Sequence, residues 1–192
     1  MKVCVLGGAG FIGRRVIRQL VSHGHEVICL DLVAPPQEEN LPAIRAERLD
    51  ISSFEDVVAS FIRHKPEVVM NLVYMIGEHP PRTALNVNIV GMDNCFEAAR
   101  LAGVDRVVYA SSLAVHGSGQ TPYGQAPINE DAPPMPRKQY AVHKAFNEWQ
   151  AREYREKHGM TITGVRVANV AGLDKVLGSV DHVEAISKPA IG

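Results

Sequence analysis

The chain has 192 residues, of which 46% are hydrophobic, and its charge is nearly balanced, with a formal net charge of −1. Such a balance lacks the strongly basic field by which proteins bind nucleic acid or membrane surfaces. This length and composition suit one well-buried domain. The sequence shows no leader-like start and no apolar run long enough to span a bilayer. We therefore expect a cytoplasmic protein whose partner is a small molecule.

Short apolar runs alternate with amphipathic stretches along the chain. The predicted strands are Lys2–Leu6, Glu26–Asp31, Ile44–Leu49, Glu67–Val73, Arg106–Ser111 and Thr161–Val167. Strands separated by helical stretches are typical of βαβ units on a parallel sheet. The sequence therefore predicts an α/β fold.

The first two helices have recognisable ends. An apolar stripe recurs every four residues in the first, at Ile12, Val16 and Leu20. Gly24 is predicted to end this helix in the left-handed conformation. The second helix is predicted to open at Ser52, with Glu55 three residues later as in a capping box, and to stop before Pro66.

Two longer helices are predicted over Thr83–Ala102 and Arg137–His158, closed by Gly103 and Gly159. The segment His116–Pro136 carries Gly, Pro and Gln with little periodicity. We expect a loop there, and a loop of that length in a compact domain is usually functional or mobile.

Four glycines, Gly7, Gly8, Gly10 and Gly13, lie where the first strand turns into the first helix. Gly7 permits the tight turn, Gly10 lets the backbone approach a phosphate, and Gly13 lets the helix pack closely on the strand. The N-terminus of that helix offers free N–H groups and a partial positive charge to an anion. The pattern predicts a binding site for the pyrophosphate of a dinucleotide.

Asp31 closes the second strand, near the distance from the glycines at which a carboxylate accepts from the adenosine ribose. Its charge favours the 2′-hydroxyl of NAD over the 2′-phosphate of NADP. Arg14 and Arg15 are a counter-signal, since a cation just after the glycines could bind that phosphate. A solvent-facing carboxylate is the alternative for Asp31. We expect NAD.

Tyr140 and Lys144 are four residues apart on a predicted helix and therefore share a face. A neighbouring ammonium favours the phenolate form of a tyrosine, which would make it a base near neutral pH. Ser111 and Ser112 stand at the C-terminal end of the fifth strand, the edge of a doubly wound sheet where ligands bind. These residues are the candidate catalytic group.

Further motifs follow in order along the chain. They are Gly7–Gly13, Asp31, Asp50 with Ile51, Asn88–Gly91, Tyr109–Gly117, the Tyr140 and Lys144 pair, and Arg166–Gly172. In this order they resemble the extended short-chain dehydrogenase/reductases, especially the nucleotide-sugar epimerase and dehydratase branch. The resemblance implies a doubly wound Rossmann-type parallel sheet with helices on both faces. Members are usually longer, so the substrate lobe is expected to be largely absent, with residues 1–173 as the NAD-binding domain and 174–192 as the start of an incomplete substrate-binding region.

The resemblance also assigns roles. Tyr140 would be the general base, Ser112 would hold the same substrate oxygen, and Lys144 would bind the nicotinamide ribose. For Ser111 a packing role is equally expected. The implied cofactor-binding residues are Gly7, Gly10, Phe11, Ile12, Gly13, Asp31, Asp50, Ile51, Leu72, Asn88, Tyr140 and Lys144.

Several departures from the family pattern bear on the reaction. Leu113 and Ala114 stand where dehydratases place an acidic pair, which disfavours elimination and favours epimerisation or simple redox chemistry on a secondary alcohol. Tyr74 stands where Ala is common and could narrow the region beside the nicotinamide. A nucleotide-linked sugar is the expected substrate. The alternatives are a non-catalytic NAD-binding module and a dehydrogenase of non-sugar alcohols.

Two further expectations concern metals and assembly. Cys4, Cys29 and Cys95 lie in apolar stretches and are expected to be buried thiols, and no Cys/His cluster has the spacing of a metal site. By resemblance, the helices that hold Asn88–Ala102 and Lys138–His158 would pair in a homodimer.

Overall fold

A computed structural model describes residues 1–33, 44–77, 79–117, 128–129, 131–170 and 172 of the chain. Six strands form one parallel sheet: β1 (Lys2–Leu6), β2 (Glu26–Asp31), β3 (Ile44–Arg48), β4 (Val68–Asn71), β5 (Arg106–Ser112) and β6 (Ile162–Val167). Their order across the sheet is β3-β2-β1-β4-β5-β6. The chain therefore runs outward from β1 in one direction, returns, and continues in the other.

The helices are α1 (Phe11–Ser22), α2 (Phe54–His64), α3 (Pro81–Leu85), α4 (Gly91–Leu101) and α5 (Gln139–His158). A π-helical segment, Asn86–Val90, joins α3 to α4, and a 3₁₀ turn, Leu113–His116, follows β5. All six predicted strands and the four predicted helical regions are present, with ends that differ by a few residues.

The core lies on both faces of the sheet. Alternate residues of β1 face opposite sides, as the strand pleat requires. Val3 and Val5 pack on the side of Ile17 in α1, whereas Cys4 and Leu6 belong to the cluster on the side of α2, α4 and α5. This arrangement confirms the doubly wound sheet with helices on both faces.

Glycines end three of the helices in the left-handed conformation. The φ angles are +77° at Gly24, +66° at Gly103 and +65° at Gly159. These are the three helix stops that the sequence predicts.

The start of α2 differs from the prediction. Ser53, not Ser52, is the N-cap, and its hydroxyl accepts a hydrogen bond from the backbone N–H of Asp56. The carboxylate of Asp50 instead accepts from both the N–H and the hydroxyl of Ser52, at 2.9 and 2.7 Å. Because Asp50 holds Ser52 in a turn, capping passes to the next serine.

The three cysteines are free and fully buried, as expected. Burial raises the pKa of Cys4 and of Cys95 to about 12. Among the described residues, no helix combines the length and the apolarity needed to cross a membrane. The middle of the predicted loop (118–127 and 130) and the segment 174–192 lie outside the described residues.

Candidate functional site

The turn between β1 and α1 depends on two glycines. Gly7 adopts φ +75°, and a Cβ there would lie 2.9 Å from the backbone of Leu72 and of Val73 at the end of β4. A Cβ on Gly13 would overlap the carbonyl oxygen of Gly7. Gly10 is the N-cap of α1, so the first-turn N–H groups of α1 point to the carboxyl edge of the sheet without a capping side chain. A helix N-terminus without a capping side chain can hold an anion.

Gly8 also belongs to this turn, although the sequence reasoning gave it no role. A Cβ at Gly8 would lie 2.5 Å from the sulfur of Cys29 and 2.7 Å from Ile17. Gly8 therefore lets α1 and β2 close on the turn. Its adjacency to Gly7 was visible, but the contact with Cys29 depends on the packing of β2.

Asp31 lies at the end of β2, beside the glycine turn. One of its carboxylate oxygens accepts a 3.0 Å hydrogen bond from the N–H of Ala9, and the other accepts from Val33 at 3.2 Å. The guanidinium of Arg15 stacks on the ring of Phe11, 3.8 Å from its centre, and donates to the carbonyl of Phe11 at 2.8 Å. The half-buried Ile12 follows Phe11 in the first turn of α1.

Two further candidate residues are placed beside α4. Asp50 holds the turn before α2, and Ile51 is buried against Gly91, with its carbonyl accepting from Asn94 at 2.9 Å. Ile51 thus packs at the start of α4, while Asp50 is half-buried at the carboxyl end of β3.

The loop after β4 is held by Asn88, a buried residue of the π-helical segment. Its side-chain oxygen accepts from the N–H of Met75 at 2.8 Å, and its amide nitrogen donates to the carbonyl of Met75 at 3.2 Å. Its own backbone carbonyl accepts from Asn147 of α5 at 2.9 Å. Leu72, whose N–H donates to Leu6, begins this loop beside the glycine turn. Asn88 therefore fixes the loop that carries Tyr74.

Lys144 points from α5 to the end of β5. Its residue is only 2% exposed, and its Nζ donates a 2.6 Å hydrogen bond to the carbonyl oxygen of Ala110. The same Nζ lies 3.3 Å from the centre of the Tyr74 ring. Burial lowers the pKa of Lys144 to about 7, so its amine changes charge near neutral pH.

Two phenols adjoin this amine. Tyr140, one turn before Lys144, packs edge to face against Tyr74, with ring centres 5.3 Å apart, and its ring centre is 5.8 Å from Nζ. Burial, and secondly the neighbouring Tyr140, raise the pKa of Tyr74 above its ordinary value. Tyr74 is therefore protonated at neutral pH and unsuited to act as a base.

Ser112 ends β5 at the same edge. It is 7% exposed, and its hydroxyl oxygen accepts from the N–H of Ala114 at 3.1 Å, which leaves the hydroxyl proton free to donate elsewhere. Ser111 points away, to α5, and donates to the carboxylate of Glu148 at 2.6 Å. The two serines thus have different partners.

Glu148 is the centre of a polar network that the sequence reasoning missed. Arg166 of β6 donates to both of its oxygens, at 2.9 and 2.8 Å, and donates to Nε2 of the buried His116 at 3.0 Å. Burial alone would raise the pKa of Glu148, but hydrogen bonds from Arg166 and Ser111 outweigh it and hold the pKa below its usual value. Glu148 follows Lys144 by four residues, a spacing that could have revealed it.

The structure therefore brings most of the predicted residues to one edge. Lys144, bound to Ala110, and Glu148, bound to Ser111, fix two successive turns of α5 to the end of β5. Tyr140 lies one turn before Lys144 with its ring centre 5.8 Å from Nζ, and Ser112 follows Ser111 in β5. The glycine turn and Asp31 occupy the neighbouring carboxyl ends of β1 and β2.

Comparisons with known proteins agree with this geometry. Residues 3–187 match the model of the NAD dependent epimerase/dehydratase family. The chain is 35% identical over 187 residues to a UDP-glucose 4-epimerase of Mycolicibacterium smegmatis, which covers 90% of this chain and 57% of that protein. It is 26% identical over 199 residues to an L-arabinose 1-dehydrogenase (NAD(P)(+)) of Haloferax volcanii, which covers 97% of this chain and 74% of that protein.

A solved structure of Thermus thermophilus UDP-glucose 4-epimerase, in complex with NAD, superimposes with a TM-score of 0.76 at 32% identity. The match covers 86% of this chain and 54% of that one. The chain thus spans little more than half the length of either epimerase. Residues 3–187, which the family model matches, include the glycine turn, Asp31 and all of α5. The chain belongs to the NAD dependent epimerase/dehydratase family.

Proposed function

We propose that the chain binds NAD along the carboxyl edge of the sheet. The turn of Gly7, Gly10 and Gly13, whose close backbone approaches a Cβ at Gly7 or Gly13 would block, suits a pyrophosphate at the uncapped N-terminus of α1. Asp31 would accept from the adenosine ribose, Asp50 and Ile51 would lie on the adenine side, and Lys144 with Tyr140 would hold the nicotinamide ribose. Phe11, Ile12, Leu72 and Asn88 complete the proposed binding residues.

NAD suits this edge better than NADP. The carboxylate of Asp31 would repel a 2′-phosphate, whereas it would accept from a 2′-hydroxyl. The guanidinium of Arg15 is already stacked on Phe11 and bound to its carbonyl. These contacts weaken the argument that Arg15 binds the 2′-phosphate of NADP.

The proposed reaction oxidises a secondary alcohol. Tyr140 takes the proton of the substrate hydroxyl, and the Ser112 hydroxyl donates to the same oxygen. Lys144 would hold the ribose and, in its protonated form, would favour the phenolate. NAD, when bound, supplies the acceptor for the hydride that leaves the carbinol carbon. For an epimerase, bound NAD would supply reversible hydride transfer, so that the opposite face of the same carbon could be reduced.

One observation supports this proposal: Lys144 and Glu148 of α5 bind Ala110 and Ser111, the two residues that precede Ser112 at the end of β5. A nucleotide-linked sugar is the proposed substrate, since the epimerase relatives carry UDP-glucose in their names. Leu113 and Ala114 after Ser112 offer no acid or base for elimination. Epimerisation is accordingly proposed over dehydration.

The test is the substitution Tyr140→Phe, with Tyr154→Phe as the matched control on the same helix. We expect turnover of a responsive nucleotide sugar to fall at least about 100-fold in the first variant, while NAD affinity, measured by calorimetry, stays within about twofold. Tyr154→Phe should leave both quantities unchanged. Unaltered turnover in Tyr140→Phe would refute the assignment of the base.

A second candidate, net oxidation of a sugar, is favoured by the similarity to an L-arabinose dehydrogenase. NADH absorbance distinguishes the two reactions, because an epimerase forms NADH only transiently and a dehydrogenase accumulates it. NAD binding without turnover of any nucleotide sugar, free sugar or non-sugar alcohol would indicate the non-catalytic module instead.

We also propose that the outer face of α5 forms a homodimer contact with α4. Val142, Phe146 and Trp149 recur along one stripe of α5 and are 48%, 42% and 50% exposed. Phe146→Asp should reduce the sedimentation mass of the chain by half, whereas Ile62→Asp, at a 55% exposed position on α2, should leave it unchanged. A mass of one chain in the unmodified protein would refute this proposal.

Residues 1–173 are proposed as the NAD-binding domain, with 174–192 beginning the substrate-binding region.

A further inference from the structure

Tyr74 has no role in the proposed reaction, yet its ring contacts the amine of Lys144. Its ring face lies 3.3 Å from Nζ of Lys144, a cation–π distance, and its edge packs against Tyr140. Lys144 is almost completely buried, with its amine between that ring and the carbonyl of Ala110. The carbonyl of Ala110 binds the amine, and the ring of Tyr74 covers another side of it.

The position of this ring is fixed by the backbone around it. Asn88 binds both the N–H and the carbonyl of Met75, the next residue in the loop. The hydroxyl of Tyr74 is 3.5 Å from the carbonyl of Tyr140, a distance at which a hydrogen bond contributes little. The aromatic ring, rather than the hydroxyl, thus makes the contact with Lys144.

We propose that the ring of Tyr74 covers the amine of Lys144: it occupies the place that the nicotinamide ribose must take, and binding of the dinucleotide displaces it. This inference rests on the proposed NAD site. Displacement replaces a cation–π contact with ribose hydroxyl contacts, so the ring reduces the affinity for NAD. Removing the ring should therefore tighten binding, whereas a variant that merely loses structure should bind more weakly.

The first test measures how accessible the amine of Lys144 is, and it needs no cofactor. Acetylation by an N-hydroxysuccinimide ester at pH 7.5, followed by peptide mass mapping, measures the reaction rate of each lysine amine. Tyr74→Ala and Tyr74→Leu, the second of which keeps most of the buried volume, should acetylate Lys144 at least about 10-fold faster than the unmodified protein. Tyr74→Phe, which keeps the ring, and Ile76→Ala in the same loop should match the unmodified protein. Lys138 provides the internal reference.

The second test measures NAD affinity by calorimetry on the same variants. The loss of a desolvated cation–π contact predicts about 10-fold tighter binding for Tyr74→Ala and Tyr74→Leu, with Tyr74→Phe unchanged. Equal acetylation of Lys144 in all variants would overturn the proposal, as would faster acetylation with unchanged or weaker NAD binding. Faster acetylation with no NAD binding in any variant, the unmodified protein included, would overturn the proposed function and support the covering role of Tyr74.

Discussion

Two regions of the carboxyl edge are built in different ways. The glycine edge consists of the turn 7–13 and Asp31, and backbone contacts hold it together. The backbone approaches itself closely at Gly7 and at Gly13, and the carboxylate of Asp31 accepts a hydrogen bond from the N–H of Ala9. The α5 edge, made of Tyr74, Ser111, Ser112, Tyr140, Lys144 and Glu148, relies on side chains from three separate segments, the loop after β4, β5 and α5. A single added Cβ should therefore destabilise the glycine edge strongly. Single side-chain substitutions in the α5 edge should each cost less free energy of unfolding.

The largest expected effect is at the glycine edge. Gly13→Ala places a methyl group against the carbonyl oxygen of Gly7, and neither backbone can yield without opening the turn. We expect the free energy of unfolding, from urea titration, to fall by about 3 kcal/mol or more. Gly24→Ala is the matched control, because its Cβ meets nothing within 4 Å and only the left-handed φ opposes it. It should cost about 1 kcal/mol, and similar losses in both variants would contradict the comparison.

At the α5 edge, Glu148→Gln should have the next largest effect. It leaves the guanidinium of Arg166 partly buried without its carboxylate, and weakens the bond to Ser111. We expect a loss of about 2 kcal/mol in the free energy of unfolding. Glu153→Gln, which removes an exposed pair with Lys157 on the same helix, should cost less than about 0.5 kcal/mol.

The effect of Glu148→Gln on the free energy of unfolding should also depend on pH. Because the pKa of Glu148 is held below its usual value in the folded protein, its stabilising effect is present above the pKa of the unfolded chain and is lost as pH falls through the folded pKa. The stability difference between the unmodified protein and Glu148→Gln should thus shrink on the acid side of pH 4. A difference that is constant from pH 3 to pH 7 would contradict the network.

Lys144 makes a prediction of the same sign on the alkaline side. Burial lowers its pKa to about 7, so the unfolded chain binds more protons than the folded one above that pH. The unmodified protein should gain stability relative to Lys144→Met as pH rises from 7 to 9, by up to about 1.4 kcal/mol per pH unit. Lys157→Met, at an exposed position of the same helix, should show no such slope. A flat difference for Lys144→Met would mean that the amine is solvated.

The smallest effect concerns cofactor choice at the glycine edge. Asp31→Asn removes the charge but retains an oxygen that accepts from Ala9. We expect the preference for NAD over NADP, measured by calorimetry, to narrow by about 10-fold. Equal affinities for the two dinucleotides in the unmodified protein would refute the interpretation of Asp31.

The fold and the glycine edge were predictable because local rules decide them. The period of the apolar residues indicated every strand, and the glycines at 24, 103 and 159 marked three helix ends. Gly7 and Gly13 could be assigned before the structure, since few roles need a glycine at such spacing between a strand and a helix.

The contacts of the α5 edge could not be derived in this way. Ser111 and Ser112 adjoin each other in sequence, yet one binds Glu148 and the other Ala114, because the strand pleat turns them to opposite sides. Tyr74 and Lys144 are distant along the chain, and only the packing of α5 on β5 brings the ring over the amine. The shift of the α2 cap from Ser52 to Ser53 likewise followed from a competing carboxylate.

A crystal structure of the chain with NAD tests the central claim most directly. We expect the pyrophosphate at the first-turn N–H groups of α1, the adenosine ribose at Asp31, and the nicotinamide ribose at Lys144, with the Tyr74 ring moved off the amine. A dinucleotide bound elsewhere, or one that leaves Lys144 and Tyr140 without contact, would contradict it.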